Sequence, residues 1–137
     1  MKDKTVLLIA DDNPGHAELL EINLRKFGVS NPVLQFPDGI SVLNYISSHR
    51  DHFAGPKEMP FILMLDICMP GINGREVLIK LKNDELLKTI PVFIVTTSTD
   101  PGELQACKES GCAGCFIKPV DYARLAGEIK DLLLGEK

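Results

Sequence analysis

The chain has 137 residues, of which 45% are hydrophobic and 25% charged, proportions typical of a single folded domain. Its formal net charge of -4 gives no general attraction for nucleic acid. No apolar run approaches the roughly 18 residues of a membrane-spanning helix, and the run near the start is too short for an export signal. The sequence therefore predicts a cytoplasmic protein without a membrane partner.

The first predicted strand, residues 5–10, is apolar throughout, which suits a strand covered on both faces in a parallel sheet. Asn13 is a good helix N-cap, and Pro14 fits the first helical position. Apolar residues then recur at spacings of three and four until Gly28, so a helix is predicted between this cap and this glycine.

A second strand at Val33–Phe36 and a short helix ending near Ser48 are predicted next. Residues 49–60 carry no periodicity, so we expect a long surface loop there. The third predicted strand, residues 61–65, is again apolar throughout and ends directly before Asp66.

A third helix is predicted from Asn73, because Glu76 three residues later completes the pattern of a capping box. Residues 91–96 form the fourth predicted strand. Asp100 followed by Pro101 has the order of cap and proline that begins a fourth helix.

A short fifth strand at residues 115–117 precedes Lys118, and Asp121 caps a last helix. Strands that alternate with helices predict an α/β fold, a doubly wound five-stranded parallel sheet with helices on both faces. The last helix runs nearly to the C-terminus, so we expect one domain over residues 1–137 and no output domain.

Polar side chains follow four of the five predicted strands. Asp11 and Asp12 follow the first strand and Asp66 the third, while Thr96 closes the fourth and Lys118 follows the fifth. The carboxyl ends of parallel strands meet at one edge of a sheet, so we expect these side chains to converge. Three carboxylates there require a counter-charge, which a hard divalent cation such as Mg²⁺, or alternatively Mn²⁺, supplies together with the lysine. An aspartate in such surroundings is suited to accept a phosphoryl group.

These motifs resemble the receiver domains of response regulators in two-component phosphorelay signalling. The resemblance covers essentially the whole chain, and it implies a flavodoxin-like (βα)5 fold and a phosphoacceptor without a separate substrate. The matching pieces, in chain order, are Asp11-Asp12-Asn13, residues 65–74, Val95-Thr96-Thr97 and Lys118-Pro119.

By this resemblance, Asp66 is the phosphoacceptor for a sensor histidine kinase, and Thr96 and Lys118 hold the phosphoryl group. The peptide bond before Pro119 is expected to be cis. The resemblance implies a metal site formed by Asp12 directly, Asp11 through water, the carboxylate of Asp66 and the backbone carbonyl of Cys68.

Phosphorylation is expected to rearrange Thr96 and Lys118 and so to shift the face formed by the fourth helix, the fifth strand and the last helix. We expect an unknown downstream protein, or a second copy of the chain in a homodimer, to bind this face. Residues 12–16, 74–78 and 96–98 look nearest to single-domain regulators paired with bacterial phytochrome histidine kinases.

Two positions depart from the family pattern. Cys68 stands two residues after Asp66, where the family often has Asn or another polar residue, which bears on the lifetime of the phosphate. Cys115 stands three residues before Lys118, where the family favours Tyr or Phe, so the usual aromatic switch is missing unless Phe116 replaces it.

The remaining cysteines and histidines form no ligand pattern. An iron–sulfur or zinc site would need a fourth ligand, and none follows the cysteines, so free thiols are expected. The phosphodonor histidine must come from another protein. The residues concerned are Cys107, Cys112, Cys115, His16, His49 and His52.

Three alternative functions remain open at this point. A small phosphatase with Asp66 as nucleophile would need a general acid close after it, where Cys68 stands. A flavin-binding module is disfavoured because the first strand is followed by acidic residues and no glycine-rich loop. A receiver that docks partners without being phosphorylated is the third.

Overall fold

Five strands and five helices alternate along the chain in this computed structural model, which describes residues 5–53 and 59–135. The strands are β1 (Val6–Ala10), β2 (Val33–Phe36), β3 (Phe61–Leu65), β4 (Val92–Thr96) and β5 (Gly114–Ile117). The helices are α1 (Pro14–Lys26), α2 (Gly39–Ser48), α3 (Gly74–Lys82), α4 (Pro101–Glu109) and α5 (Tyr122–Leu133).

The strands form one parallel sheet in the order β2-β1-β3-β4-β5. This order places β1 and β3 side by side near the centre and confirms the predicted flavodoxin-like, doubly wound fold. The predicted strand boundaries differ from the observed ones by a single residue at β1, β4 and β5.

The apolar character of β1 results from burial on both faces of the sheet. Leu7 and Ile9 lie in one hydrophobic cluster, which α1 and α5 cover. Leu8 and Ala10 lie in a second cluster, which α2, α3 and α4 cover. A strand with helices on both sides has no polar face, which is why its sequence does not alternate.

The predicted helix caps are confirmed at the starts of α1, α3, α4 and α5. The side chains of Asn13, Asp100 and Asp121 each accept a hydrogen bond from a backbone N–H in the first turn. Asn73 and Glu76 form a complete capping box at α3. These caps fix the points at which the chain leaves the sheet edge and enters each helix.

Two short 3-10 helices correct the sequence prediction. Arg50–Phe53 lies within the segment predicted as a loop without secondary structure, of which residues 54–58 fall outside the described part. Leu87–Thr89 precedes β4. An ion pair between Arg50 and Asp84 joins these two regions, and Asp84 also accepts from the N–H groups of Leu86 and Leu87. Single turns of this kind leave no periodicity in a sequence.

Within residues 5–53 and 59–135, no helix combines the length and the apolar composition that a bilayer span requires.

Candidate functional site

Asp11 and Asp66 are fixed at neighbouring positions on the carboxyl edge of the sheet. The N–H of Asp66 donates to the carbonyl of Ala10 at 3.0 Å, which extends the ladder between β1 and β3 by one residue. The N–H of Asp11 donates to the carbonyl of Phe36 at 3.0 Å. Both carboxylates are therefore positioned by backbone hydrogen bonds, as expected for side chains that directly follow buried strands.

The three predicted carboxylates lie together. Asp11, Asp12 and Asp66 each offer an oxygen, and these oxygens all lie within 4.8 Å of one another. Asp11 and Asp66 are 7% and 5% exposed, whereas Asp12 is exposed. Buried like charges at this separation disfavour simultaneous ionisation unless positive charge is nearby.

Lys118 supplies part of that positive charge. Its Nζ lies 2.6 Å from Oδ2 of Asp11 and 3.5 Å from Oδ2 of Asp66. Three carboxylates and one ammonium group still leave two negative charges uncompensated among these residues. Oxygen ligands with a surplus of two negative charges suit a hard divalent cation.

The second oxygen of each buried carboxylate is held by a local turn. Oδ1 of Asp11 accepts from the N–H of Asn13 at 2.9 Å, and Oδ1 of Asp66 accepts from the N–H of Cys68 at 3.1 Å. Both aspartates thus direct Oδ1 toward their own backbone and Oδ2 toward Lys118.

The carboxylates border a cavity of about 490 Å³, large enough for a phosphoryl group and a hydrated cation. Side chains that line it include Asp11, Asp12, Asp66, His16, Cys68 and Thr97. Thr97 is exposed at this cavity, although its place in the motif Val95-Thr96-Thr97 had suggested no role for it.

Thr96 occupies the last position of β4, as predicted, but its side chain is fully buried. Its hydroxyl oxygen accepts from the N–H of Ser98 at 3.2 Å. Thr97 rather than Thr96 borders the cavity beside Asp66. A role for Thr96 in holding a phosphoryl group stays a prediction that requires its hydroxyl to turn toward the site.

The backbone of Lys118, directly after β5, is fixed by a hydrogen bond and followed by a cis peptide bond. Its N–H donates to the carbonyl of Thr96 at 2.8 Å. The peptide bond between Lys118 and Pro119 is cis, which confirms that expectation.

Gly74 allows helix α3 to begin against the backbone of Asp66. A Cβ atom at this position would lie 2.1 Å from the carbonyl oxygen of Asp66. The N–H of Gly74 also donates to the carbonyl of Ile67 at 2.9 Å. Glycine is therefore required by close approach at this point.

His16 borders the site, although its sequence context shows no ligand pattern. It lies in the first turn of α1, where Oδ1 of Asn13 accepts from its N–H at 3.1 Å. Its Nδ1 lies 3.0 Å from Nζ of Lys118. The available sequence signal was its place in the first turn of a helix that directly follows two aspartates.

The two departures from the family pattern have different surroundings. Cys68 is exposed and lines the cavity with Asp66. Cys115 is half-buried against the cluster covered by α2, α3 and α4. Phe116 packs in the opposite cluster against Phe93, with the guanidinium of Arg124 4.2 Å from its ring centre, so it does not share the surroundings of Cys115.

All four cysteines are free thiols, as predicted. Cys107 lies in α4, Cys112 in the following turn and Cys115 in β5. The sulfur atoms of Cys112 and Cys115 are 3.6 Å apart. Burial raises the pKa of the Cys112 thiol to about 12, and it also raises the pKa of Cys107. Both environments favour the protonated thiol, which is a poor metal ligand.

Comparison with known proteins gives one family. The family model for the response regulator receiver domain matches residues 7–130 of this chain. The regulatory protein FilR2 of Methanothrix harundinacea is 32% identical over 137 residues, which cover 98% of this chain and 86% of that protein.

Two solved structures have the same fold over nearly their full length. A response regulator receiver domain from Rhodospirillum rubrum has a TM-score of 0.75 at 33% identity, covering 96% of this chain and 92% of that one. The bacteriophytochrome response regulator AtBRR has a TM-score of 0.74 at 30% identity, with coverage of 93% and 91%.

Proposed function

This chain belongs to the response regulator receiver family, and we propose that Asp66 is the residue on which it receives a phosphoryl group. A receiver is a phosphoacceptor of two-component signalling rather than an enzyme with a separate substrate. The observation that carries the assignment is the contact of Lys118 with both Asp11 and Asp66 inside an acidic cluster. An ammonium group held between the ends of two strands in this way is suited to neutralise the charge of an incoming phosphoryl group.

The reaction transfers the phosphoryl group from a kinase phosphohistidine to Asp66. The N–P bond of the phosphohistidine breaks while an O–P bond to the carboxylate forms. We assign the attack to Oδ2, because Oδ1 accepts from the N–H of Cys68 and is oriented away from Lys118. The ammonium group of Lys118 then stabilises the negative charge that develops on the phosphoryl oxygens.

The donor set fits Mg²⁺, with Mn²⁺ as the alternative, because three carboxylate oxygens lie within 4.8 Å of one another. The residues that would hold the cation are Asp11, Asp12, Asp66 and the backbone carbonyl of Cys68. When bound, the cation supplies positive charge beside the phosphoryl oxygens.

Phosphorylation is proposed to act on the face formed by α4, β5 and α5. The new group adds about 1.5 to 2 negative charges beside Lys118. Lys118 and Thr96 are linked through the backbone hydrogen bond from the lysine N–H, so a shift at one affects the end of β5. Ile117, the last residue of β5, is 41% exposed and offers apolar surface to a downstream protein or to a second copy of the chain.

We further propose a bacterial phytochrome histidine kinase as the cognate donor. The likeness to the bacteriophytochrome response regulator AtBRR, at 30% identity over 93% of the chain, supports this choice. Phosphotransfer from a purified phytochrome kinase should be faster than transfer from an unrelated histidine kinase at equal concentration. Equal or reversed rates would eliminate the phytochrome assignment without affecting Asp66.

A domain covering residues 1–137 without an output domain, and a cytoplasmic location, stay predictions from the sequence.

The proposed function is tested with a small phosphoryl donor, acetyl phosphate, in the presence of Mg²⁺. The intact mass of the wild type should increase by one phosphoryl group, and the Asp66→Asn variant should not change. Asp38→Asn is a matched control, since Asp38 caps α2 rather than lining the cavity. Continuous release of phosphate from excess phosphate ester would instead support the phosphatase alternative.

A further inference from the structure

His16 contacts the lysine of the proposed reaction and lines the same cavity as the nucleophile. It lines the 490 Å³ cavity that contains Asp66, and it also lines a second cavity of about 350 Å³ that contains Lys118. Asp11 and Thr97 are shared by the two cavities as well. The imidazole is half-buried at this shared wall, with Nδ1 3.0 Å from Nζ of Lys118.

We propose that His16 is a positioning residue for phosphotransfer: it accepts a hydrogen bond from Lys118 and holds the ammonium group beside Asp66 without letting it close on Oδ2. The inference rests on the proposed function of Asp66. It concerns a residue that does not itself touch the phosphoryl group.

The contact defines the state of the imidazole. An ammonium group has three N–H donors and no acceptor, so Nδ1 of His16 must accept at 3.0 Å. An accepting Nδ1 carries no hydrogen, so the proposed contact places the ring hydrogen on Nε2. A charged imidazolium in this place would repel Lys118.

Three acceptors surround the three donors of Lys118 at unequal distances. Asp11 lies at 2.6 Å, His16 at 3.0 Å and Asp66 at 3.5 Å. Asp11 follows β1 and His16 lies in the first turn of α1, so the two shorter contacts come from one stretch of chain. Together they hold the ammonium group on that side, at a distance from Asp66 that exceeds a good hydrogen bond.

A neutral acceptor is suited to this task. A further carboxylate would add negative charge to a cluster that already contains three, and it would bind the lysine more tightly. An apolar side chain would leave one ammonium N–H without a partner. That N–H would then turn to Oδ2 of Asp66, the next acceptor at 3.5 Å, and occupy the proposed nucleophile.

The experiment compares three substitutions that differ in where they place an acceptor. Asn carries Oδ1 on Cγ, at the position of the histidine Nδ1, so His16→Asn keeps the acceptor. Gln extends its oxygen toward the position of Nε2, and Leu has no acceptor, so His16→Gln and His16→Leu both lose it. Asn23→Leu is a matched control, since Asn23 is a neutral, half-buried residue of the same helix and its side chain donates to the carbonyl of Leu19.

The rate of phosphorylation by acetyl phosphate is measured against donor concentration at saturating Mg²⁺. His16→Leu and His16→Gln should lower the maximal rate about fivefold to tenfold, the effect of one lost hydrogen bond, and leave the half-saturating donor concentration nearly unchanged. His16→Asn should restore most of the rate, and Asn23→Leu should match the wild type.

Several outcomes would overturn the inference. One is a wild-type rate for His16→Leu. Another is equal rescue by Asn and Gln, which would mean that the position of the acceptor does not matter. A third is a phosphorylation rate that decreases in step with thermal stability across all variants, which is the result that a purely structural role would produce.

A second measurement tests the contact without any phosphorylation. In ¹⁵N NMR spectra of the wild type, the His16 ring should carry its proton on Nε2 rather than Nδ1, and Lys118→Met should return it to a mixture of tautomers. The opposite tautomer in the wild type would refute the inference. Failure of the wild type to take up a phosphoryl group would refute the proposed function of Asp66 and with it the positioning role of His16, whereas the NMR result decides separately whether the contact between Lys118 and His16 exists.

Discussion

The ammonium nitrogen of Lys118 lies 2.6 Å from Oδ2 of Asp11, a residue 107 positions earlier in the chain. The contact joins the ends of β5 and β1 across the carboxyl edge of the sheet. The same nitrogen lies 3.5 Å from Asp66, so a single positive charge serves two buried carboxylates. Its removal should therefore affect both the chemistry and the stability of the site.

Lys118→Met keeps the length of the side chain and removes its charge. We expect phosphorylation of Asp66 to slow by about 10²–10³-fold, the usual effect of removing a preorganised group that stabilises developing charge. We also expect lower stability in the absence of divalent cations, because Asp11 and Asp66 lose their counter-charge. The rate is measured with acetyl phosphate and the stability by urea unfolding with and without Mg²⁺.

The control for that change is Lys88→Met, at a lysine that pairs with the exposed Glu85. It should alter neither the rate nor the unfolding midpoint appreciably, because surface ion pairs contribute little. A normal rate for Lys118→Met would contradict the role assigned to this lysine.

Divalent cations should stabilise the fold through the acidic cluster. At a Mg²⁺ concentration of one hundred times the dissociation constant, the free energy of unfolding should rise by about 2.7 kcal/mol. Asp12→Asn should reduce this gain, and since Asp12 is exposed it should not weaken the metal-free protein. Asp131→Asn, at an exposed position on α5, is the matched control. Equal stabilisation by NaCl at the same ionic strength would exclude a specific site.

Gly74 should tolerate no side chain. Gly74→Ala places a Cβ atom 2.1 Å from the carbonyl oxygen of Asp66, so the loop or the helix must move. We expect a loss of stability of about 1–3 kcal/mol, as for other overpacked sites, together with slower phosphorylation.

Gly127→Ala should raise the free energy of unfolding, whereas Gly74→Ala should lower it. Gly127 lies inside α5, and a Cβ atom there meets nothing within 4 Å. Alanine should therefore stabilise the helix by about 0.5–1 kcal/mol. Urea unfolding of both variants checks the pair, and equal effects would contradict the close approach of α3 to Asp66.

The stability of the protein should depend on the Cys112 thiol at alkaline pH. Burial raises the pKa of this thiol to about 12 in the folded protein, so the folded state keeps a proton that the unfolded state releases earlier. The contribution is fully present below the ordinary pKa of a thiol and is lost as the pH rises toward the raised value. Cys112→Ala should remove this part of the pH dependence, which unfolding curves between about pH 8 and 11 would measure. An identical pH dependence in the two proteins would contradict the burial effect.

Much of the site could be predicted because its residues follow buried strands. Asp11, Asp66 and Lys118 come directly after apolar runs, and parallel strands bring such positions to one edge of the sheet. The helix caps were predictable for a similar reason, since Asn73 and Glu76 carry a local signal that does not depend on tertiary contacts.

The residues that were missed depend on three-dimensional orientation. Whether His16 faces the site is set by the rotation of α1 about its axis, which the sequence alone does not specify. Thr97 follows Thr96 immediately, and only the twist of the chain after β4 decides which of the two meets the cavity. The 3-10 turn at Leu87–Thr89 is too short to produce a periodic pattern.

The most direct test of the central claim locates the phosphoryl group on the chain. The wild type is treated with acetyl phosphate with and without Mg²⁺, the acyl phosphate is reduced with borohydride, and the modified residue is identified by peptide mass spectrometry. We predict modification at Asp66 only when Mg²⁺ is present. Modification of Asp11 or Asp12 instead, or uptake at Asp66 that does not depend on a divalent cation, would contradict the account.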